Sequence, residues 1–431
     1  MTELVPAVGG TRLVPAPDPV ARDYLLLALR LDQHRSGIVD AYYGPADLKA
    51  QADMESLRPP ARLADDAAAL RDRLAIEVDD PERREWFRAQ LVALEAQSRD
   101  IAGEPIPYDS LVAQSFDGPV ARMDDSIFDA AAHDLDELLP GDGPLDPRLS
   151  SWDEMLMIDP ERVPAVVEHL NSTFRARAGE LFGLPDGETI QVSMVRDRPW
   201  SGANWYDGGR KSRVEINLDL GVTVGALARL VAHETYFGHH LEASIKEAGL
   251  VGEQGRTELT LASINTPECL LREGLAELGY RFAVPAADEG TLLLELFEVA
   301  GLRVAGDPAA ARAVADTQAR VGRAREILRW IGGNAALLRH VDGMSREDVI
   351  DYVLTVGQLS QARADQLLDH YIDQAIGRIF IFTYREGEQL LGDWLEQVPE
   401  PERAARFGRL LAMTPTPSSI RSEVSPPSGN P

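Results

Sequence analysis

Apolar residues recur at three- and four-residue intervals along almost all of this chain, and that periodicity favours helices over sheets. Tyr24, Leu27, Ala28 and Leu31 set the spacing within 19–34. Leu70 and Leu74 continue it in 62–78, and Phe87, Leu91 and Leu94 in 82–101. Further runs of the same kind lie near 126–139, 160–182, 288–304, 308–340 and 360–397. One stretch differs. Ile190, Val192 and Met194 alternate with polar residues, and so do Val214, Ile216, Leu218 and Leu220. Asp207-Gly208-Gly209-Arg210 between them has turn composition. The pattern predicts a short antiparallel pair of strands. The fold expected is mainly α: a large helical domain with a small antiparallel β-sheet.

No internal repeat at solenoid or propeller periods interrupts this plan. Residues 1–17 are rich in Pro and Gly and read as a flexible arm. Residues 18–412 read as one large helical domain, with an N-terminal part over 18–185 and a second part over 186–412. Residues 413–431, a low-complexity run of Thr, Pro and Ser, read as a disordered tail.

Charge then narrows the function. The net charge is −27 at pH 7, which argues against a nucleic-acid partner, since phosphate needs a basic face. No run is apolar for the length a membrane span requires. The one cysteine, Cys269, excludes an internal disulfide framework or a Cys-based zinc site. The first residues lack the basic and apolar regions of a secretory signal. The expectation is a cytoplasmic protein without nucleic-acid or membrane partners.

Three of the eight histidines fall in one short segment, His233-Glu234-Thr235-Tyr236-Phe237-Gly238-His239-His240-Leu241-Glu242. Thr223 is placed to cap the helix that enters it. Two imidazoles can hold a zinc ion while the Glu beside the first acts as general base. In the common arrangement the second His is one turn on, but Phe237 stands there. On an ideal helix His239 lies about 240° round from His233, and His240 about 10.5 Å further along. Ligand nitrogens on one zinc ion lie about 3–3.5 Å apart. Neither His can therefore join His233 unless the helix breaks between Glu234 and His239. Gly238 is the residue type that permits a break. The plainer alternative is an amphipathic helix carrying ordinary polar histidines.

A catalytic zinc site needs a third protein ligand. Thr266-Pro267 is a strong helix start, and Glu273 and Glu277 follow one turn apart, with Tyr280 on about the same face. Leu270, Leu271, Leu275 and Leu278 show that this helix packs, and carboxylates on a packed helix are costly unless paired.

The run His-Glu-x-x-x-Gly-His-His-Leu-Glu, followed some thirty residues on by Glu-Gly-x-Ala, resembles the domain of unknown function 885 family. That family reads His-Glu-x-x-Pro-Gly-His-His-Leu-Gln, then Glu-Gly-Trp-Ala-Leu-Tyr-Ala-Glu, and is similar to helical gluzincin-type, neurolysin-like zinc peptidases. The resemblance covers about residues 190–280 and 375–390. It implies one Zn²⁺ ion, with His233 and Glu273 as ligands and Glu234 as general base. It favours His239 as the second ligand, because Gly238-His239 matches the Gly-His of those peptidases; His240 is the alternative. Tyr384-Arg385-Glu386-Gly387 resembles a late Tyr-x-x-Gly of the family and implies that Tyr384 helps hold an oxyanion. The chain departs from the family at Phe237 (Pro there), at Leu275 (Trp there) and at Tyr280, where the family has its later Glu.

The function expected is hydrolysis of peptide or related amide bonds by metal-activated water. Glu277 could orient a ligand imidazole. Arg378 and Arg385 are candidate clamps for a substrate carboxylate, and residues 213–220 a candidate edge strand for a peptide. The rival expectation is a non-catalytic helical binding or scaffold protein, with a structural metal or none.

Overall fold

The computed structural model describes residues 14–198, 200–219 and 221–424. The chain is mainly helical, as its periodicity predicts. Helices α1 (Pro19–Asp32), α2 (Ala46–Met54), α3 (Pro60–Glu77) and α4 (Pro81–Ile101) open it, with strand β1 (Val39–Tyr42) after the first. Then come α5 (Tyr108–Ser115), α6 (Asp125–Leu138), α7 (Leu145–Leu156) and α8 (Val163–Phe182). Strands β2 (Thr189–Val195), β3 (Gly202–Tyr206) and β4 (Lys211–Asn217) precede α9 (Val224–Glu234) and α10 (His239–Lys246). Strand β5 (Leu261–Ser263) leads into α11 (Pro267–Ala283). The remaining helices are α12 (Glu289–Val299), α13 (Pro308–Arg329), α14 (Ile331–His340), α15 (Arg346–Thr355), α16 (Gln361–Leu367), α17 (Gly377–Phe380), α18 (Thr383–Glu396), α19 (Glu400–Leu410) and α20 (Pro417–Glu423). Among the described residues no helix is long and apolar enough to cross a membrane.

The apolar core falls into two clusters. The smaller gathers α1, α3 and α4 around Tyr24, Trp86 and Phe87, whose rings meet edge to face, and takes in Leu250, Val251, Leu259 and Leu261 from the later chain. The larger runs from α5 to α20 and contains the buried faces of α8, α9 and α11. The division between the clusters does not coincide with residue 185.

The alternating segments do pair, but parallel rather than antiparallel: Ile190 lies beside Ser212 and Met194 beside Ile216. The reason is a third strand. β3 runs antiparallel to β4, and the order is β2-β4-β3. The Asp207–Arg210 turn closes the β3–β4 hairpin instead, with Gly208, Gly209 and Arg210 all at positive φ. β4 is thus the central strand, not an edge. Leu218 falls beyond it, and Leu220 lies outside the described residues.

The C-terminal tail is also corrected. Thr416-Pro417 is the same helix-start signal as Thr266-Pro267, and it starts α20 with a capping box. Ile420 is buried, and Thr414 accepts from Arg256 Nη1 at 2.6 Å. Residues 425–431 lie outside the described residues, as do 1–13 of the expected arm; Pro15 accepts a hydrogen bond from Thr257 Oγ1 at 3.2 Å.

Candidate metal centre

Thr223 caps α9 through its hydroxyl, which accepts from Ala226 N. Leu227, Ala228, Val231 and Ala232 bury one face of that helix, which fixes where His233 and Glu234 emerge. The helix stops at Glu234, and a new one starts at His239. Gly238 lies against the carbonyl of His233, where a Cβ would come within 1.8 Å of the oxygen. Only a residue without a side chain fits that fold-back. The break swings His239 round to face His233. Their rings stand perpendicular with centroids 4.7 Å apart, and the two Nε2 atoms are 3.1 Å apart.

Glu273 closes the group from α11, a helix capped by Thr266. Its Oε2 is 3.3 Å from His233 Nε2 and its Oε1 3.5 Å from His239 Nε2. The ligand atoms of His233, His239 and Glu273 all lie within 4.8 Å of one another. Glu273 Oε2 and His239 Nδ1 are buried without a hydrogen-bond partner. Two imidazole nitrogens and a carboxylate converging on one point, with an orphaned oxygen, suit a divalent zinc-like ion. Glu277, one turn on, places Oε1 3.6 Å from His233 Nδ1 and accepts from Arg329 Nη2 at 3.1 Å.

His240 does not join them. It is fully buried; its Nδ1 meets Ser212 Oγ at 2.8 Å and its Nε2 meets Glu188 Oε2 at 3.1 Å. Glu188 also accepts from Tyr236 at 3.0 Å and from Arg175 Nε at 2.9 Å. Of the two second-ligand candidates, only His239 reaches the cluster.

Tyr384 arrives on α18, which crosses α11 at very short range. A Cβ at Gly274 would lie 2.2 Å from the Gly387 carbonyl carbon, and one at Gly387 2.2 Å from Leu270 O. These are the glycines that follow Glu273 and end Tyr-x-x-Gly, so both motifs carry a packing requirement. That contact brings the Tyr384 ring to 6.1 Å from that of His233, centroid to centroid.

The group opens into a cleft of about 680 Å³. Glu234 lines it, as do Asp40, Trp205, Arg272, Phe380 and Tyr384. Strand β3 forms part of the wall, and Asn204 Nδ2 donates to Glu234 O at 2.6 Å. Among the described residues β3 pairs with β4 alone. The free strand edge beside the centre is therefore β3, not 213–220. Arg378 and Arg385 do not line the cleft. Arg378 pairs with Asp100, and Arg385 is buried, donating to Ala121 O at 2.8 Å.

Burial and charge tune these groups. Burial opposes the charged form of His233, but the close Glu273 carboxylate and the charges of Glu234 and Glu277 outweigh it and raise the imidazole to about 9. Burial likewise opposes ionisation of Glu273, yet His239 and His233 hold it well below the usual carboxylate range. Glu234 goes the other way: burial raises it, and the two histidines only partly offset this. Burial, then the charge of Glu273, keeps the Tyr384 phenol protonated.

Asp40, Asn204, Trp205, Arg272 and Phe380 were not expected at the site. Arg272 adjoins Glu273 and carried a signal in its position. Asp40, on β1, carried none, because only the packing of β1 against β5 brings it there.

No family model matches this chain, and no curated protein matches it. Among solved structures, a "putative lipoprotein" from Colwellia psychrerythraea aligns with 85% of this chain and 67% of its own, at 14% identity and TM-score 0.45. A "putative lipoprotein of unknown function" from Shewanella oneidensis aligns with 87% and 75%, at 12% identity and TM-score 0.44. Likenesses this distant say nothing about what the chain does.

Proposed function

We propose that this chain is a zinc-dependent hydrolase of peptide or related amide bonds, similar in its site to the domain of unknown function 885 family and to gluzincin-type peptidases. The observation that carries the reading is the convergence of His233, His239 and Glu273 on one point, open to a cleft that Glu234 also lines. A structural site is normally closed by four protein ligands, whereas a catalytic one keeps a position open.

Zn²⁺ held by these three residues would supply a Lewis acid for the substrate carbonyl and a water of lowered pKa. Glu234 does the proton work. Burial raises its carboxyl above the ordinary value, which makes the carboxylate a stronger base that takes a proton from the attacking water and passes it to the leaving amine. Tyr384, kept as a phenol, is a hydrogen-bond donor for the carbonyl oxygen as negative charge grows there. Glu277 places its carboxylate on the Nδ1 side of His233, where it favours the orientation in which Nε2 faces the cluster. Asn204 ties β3 to the end of α9, which keeps the cleft wall in register with Glu234.

The test is metal content by elemental mass spectrometry, on protein purified without a His-rich tag, followed by a peptide-library screen. Near-stoichiometric zinc that disappears in His233→Ala is the expected result. A chain that holds no zinc and takes up none when it is supplied sinks the hydrolase reading and leaves the helical binding protein as the better account.

A further inference from the structure

One acidic residue of the cleft takes no part in the chemistry above and has no close partner among the described residues. Asp40 lines the cavity from β1, beside Ala262 and Ser263 of β5. Its side chain is exposed to the cavity. It makes no hydrogen bond or ion pair with any described residue; Arg272, Glu273 and His239 act on it only through longer-range charge.

Arg272, the cation of the same cleft, is differently placed. Its Nε lies 3.5 Å from Glu242 Oε2, and Glu268 adds a second negative group near it. Glu242 is in turn held by Lys246 at 2.6 Å. Arg272 is thus balanced by acids of its own, and the carboxylate left without a close partner is Asp40. An accessible carboxylate without a protein partner is free to pair with a charged ligand. Placed in the cleft that Glu234 and the His233, His239 and Glu273 group also line, Asp40 is positioned to meet the charge of a bound ligand.

We infer that Asp40 selects substrates that carry a positively charged group near the bond to be cleaved, a free α-ammonium or a Lys or Arg side chain. This rests on the hydrolase reading above. A cation docked there would complete the ion pair that the fold leaves open, and the overall charge of −27 would draw it in. Glu234 and Glu273 are committed elsewhere, one to proton transfer and one to the metal group. Asp40 is the acidic lining residue left to read the substrate.

The experiment uses full-length, zinc-loaded Glu234→Gln protein, so that peptides bind without turnover. Calorimetry compares peptides of equal length: a neutral one with blocked ends, one with a free amino terminus, a blocked one carrying Lys and a blocked one carrying Glu. A cationic peptide is expected to bind about two- to fivefold tighter than the neutral one, the scale of an exposed ion pair. The free-amino and Lys peptides tell the two sources apart. Asp40→Asn should erase the preference, and Asp40→Lys should turn it toward the Glu peptide, which a merely structural residue would not do. If cationic and neutral peptides bind alike, the inference is overturned while the hydrolase reading stands, and this comparison needs no Asp40 variant. A preference that survives Asp40→Asn overturns it as well. If no peptide binds, peptide hydrolysis itself fails and the inference falls with it.

Discussion

His239 and His240 are neighbours in sequence and opposites in situation. Both ring nitrogens of His240 are engaged, by Ser212 and by a Glu188 that also holds Tyr236 and Arg175. The Nε2 of His239 points at another imidazole nitrogen 3.1 Å away, and its Nδ1 is buried with no partner. A buried polar group is normally satisfied, and one that is not calls for an explanation. The satisfied histidine is a structural joint between α10, β4 and the residue before β2. On the proposed zinc reading, the unsatisfied one is a ligand. Satisfaction of hydrogen bonds, more than the presence of histidine, separates the two roles.

The largest expected effect lies with the proton acceptor. Glu234→Gln should keep zinc and lose activity by on the order of 10³-fold, within the range that general base catalysis supplies. A variant that turns over like the parent removes Glu234 from the chemistry. The two histidines should then split cleanly. In His239→Ala, zinc binding should weaken by more than the roughly 10–100-fold that outer-shell partners are worth. In His240→Ala, zinc stoichiometry should persist, while removing one partner from a buried charged network costs about 3 kcal/mol of stability. Elemental analysis and denaturant unfolding on the same two proteins decide it. Equal metal loss in both would erase the distinction.

A substitution away from any ligand sharpens the same contrast. Gly387→Val puts atoms where Leu270 O already lies and must push α18 off α11. Overpacking of this kind costs about 1–3 kcal/mol. Because α18 carries Tyr384 and not the metal group, activity should fall while zinc content holds. Loss of zinc together with activity would mean that the helix crossing supports the ligands as well.

Much of this was legible beforehand, for physical reasons. Helical spacing located the long helices, because each buries a stripe. The pairing of His233 with a later His required a break, and Gly238 was the only residue there able to provide one. What escaped depended on long-range packing. The segment Gly202–Tyr206 does not alternate, so the third strand was invisible and the flanking strands read as a hairpin. The Thr416-Pro417 start was masked by its Pro- and Ser-rich surroundings. The choice between His239 and His240 stayed open on the residues alone, because Glu188, the partner that removes His240, lies far back in the sequence. Asp40 gave no sign at all, since the cleft that gives it meaning exists only once β1 meets β5.

The smallest effect, and the finest test of the comparison, is pH. Burial pushes the carboxyl of Glu188 up, but hydrogen bonds from His240, Arg175 and Tyr236 more than offset this and leave it below its ordinary value. A carboxylate depressed in the folded state binds fewer protons there than in the unfolded chain. Its contribution to stability is therefore present in full above the unfolded value, about 4.5. It is lost as the pH falls through the lower folded value. The structural network should thus weaken in acid, and Glu188→Gln should flatten the fall in unfolding free energy over that window, at the expense of some stability near neutrality. Denaturant titrations of both proteins from about pH 3 to 6, the range that brackets an ordinary carboxyl, measure the slope directly. An unchanged slope would mean that Glu188 is not the group that makes His240 a structural residue, and the satisfied half of the comparison would need another anchor.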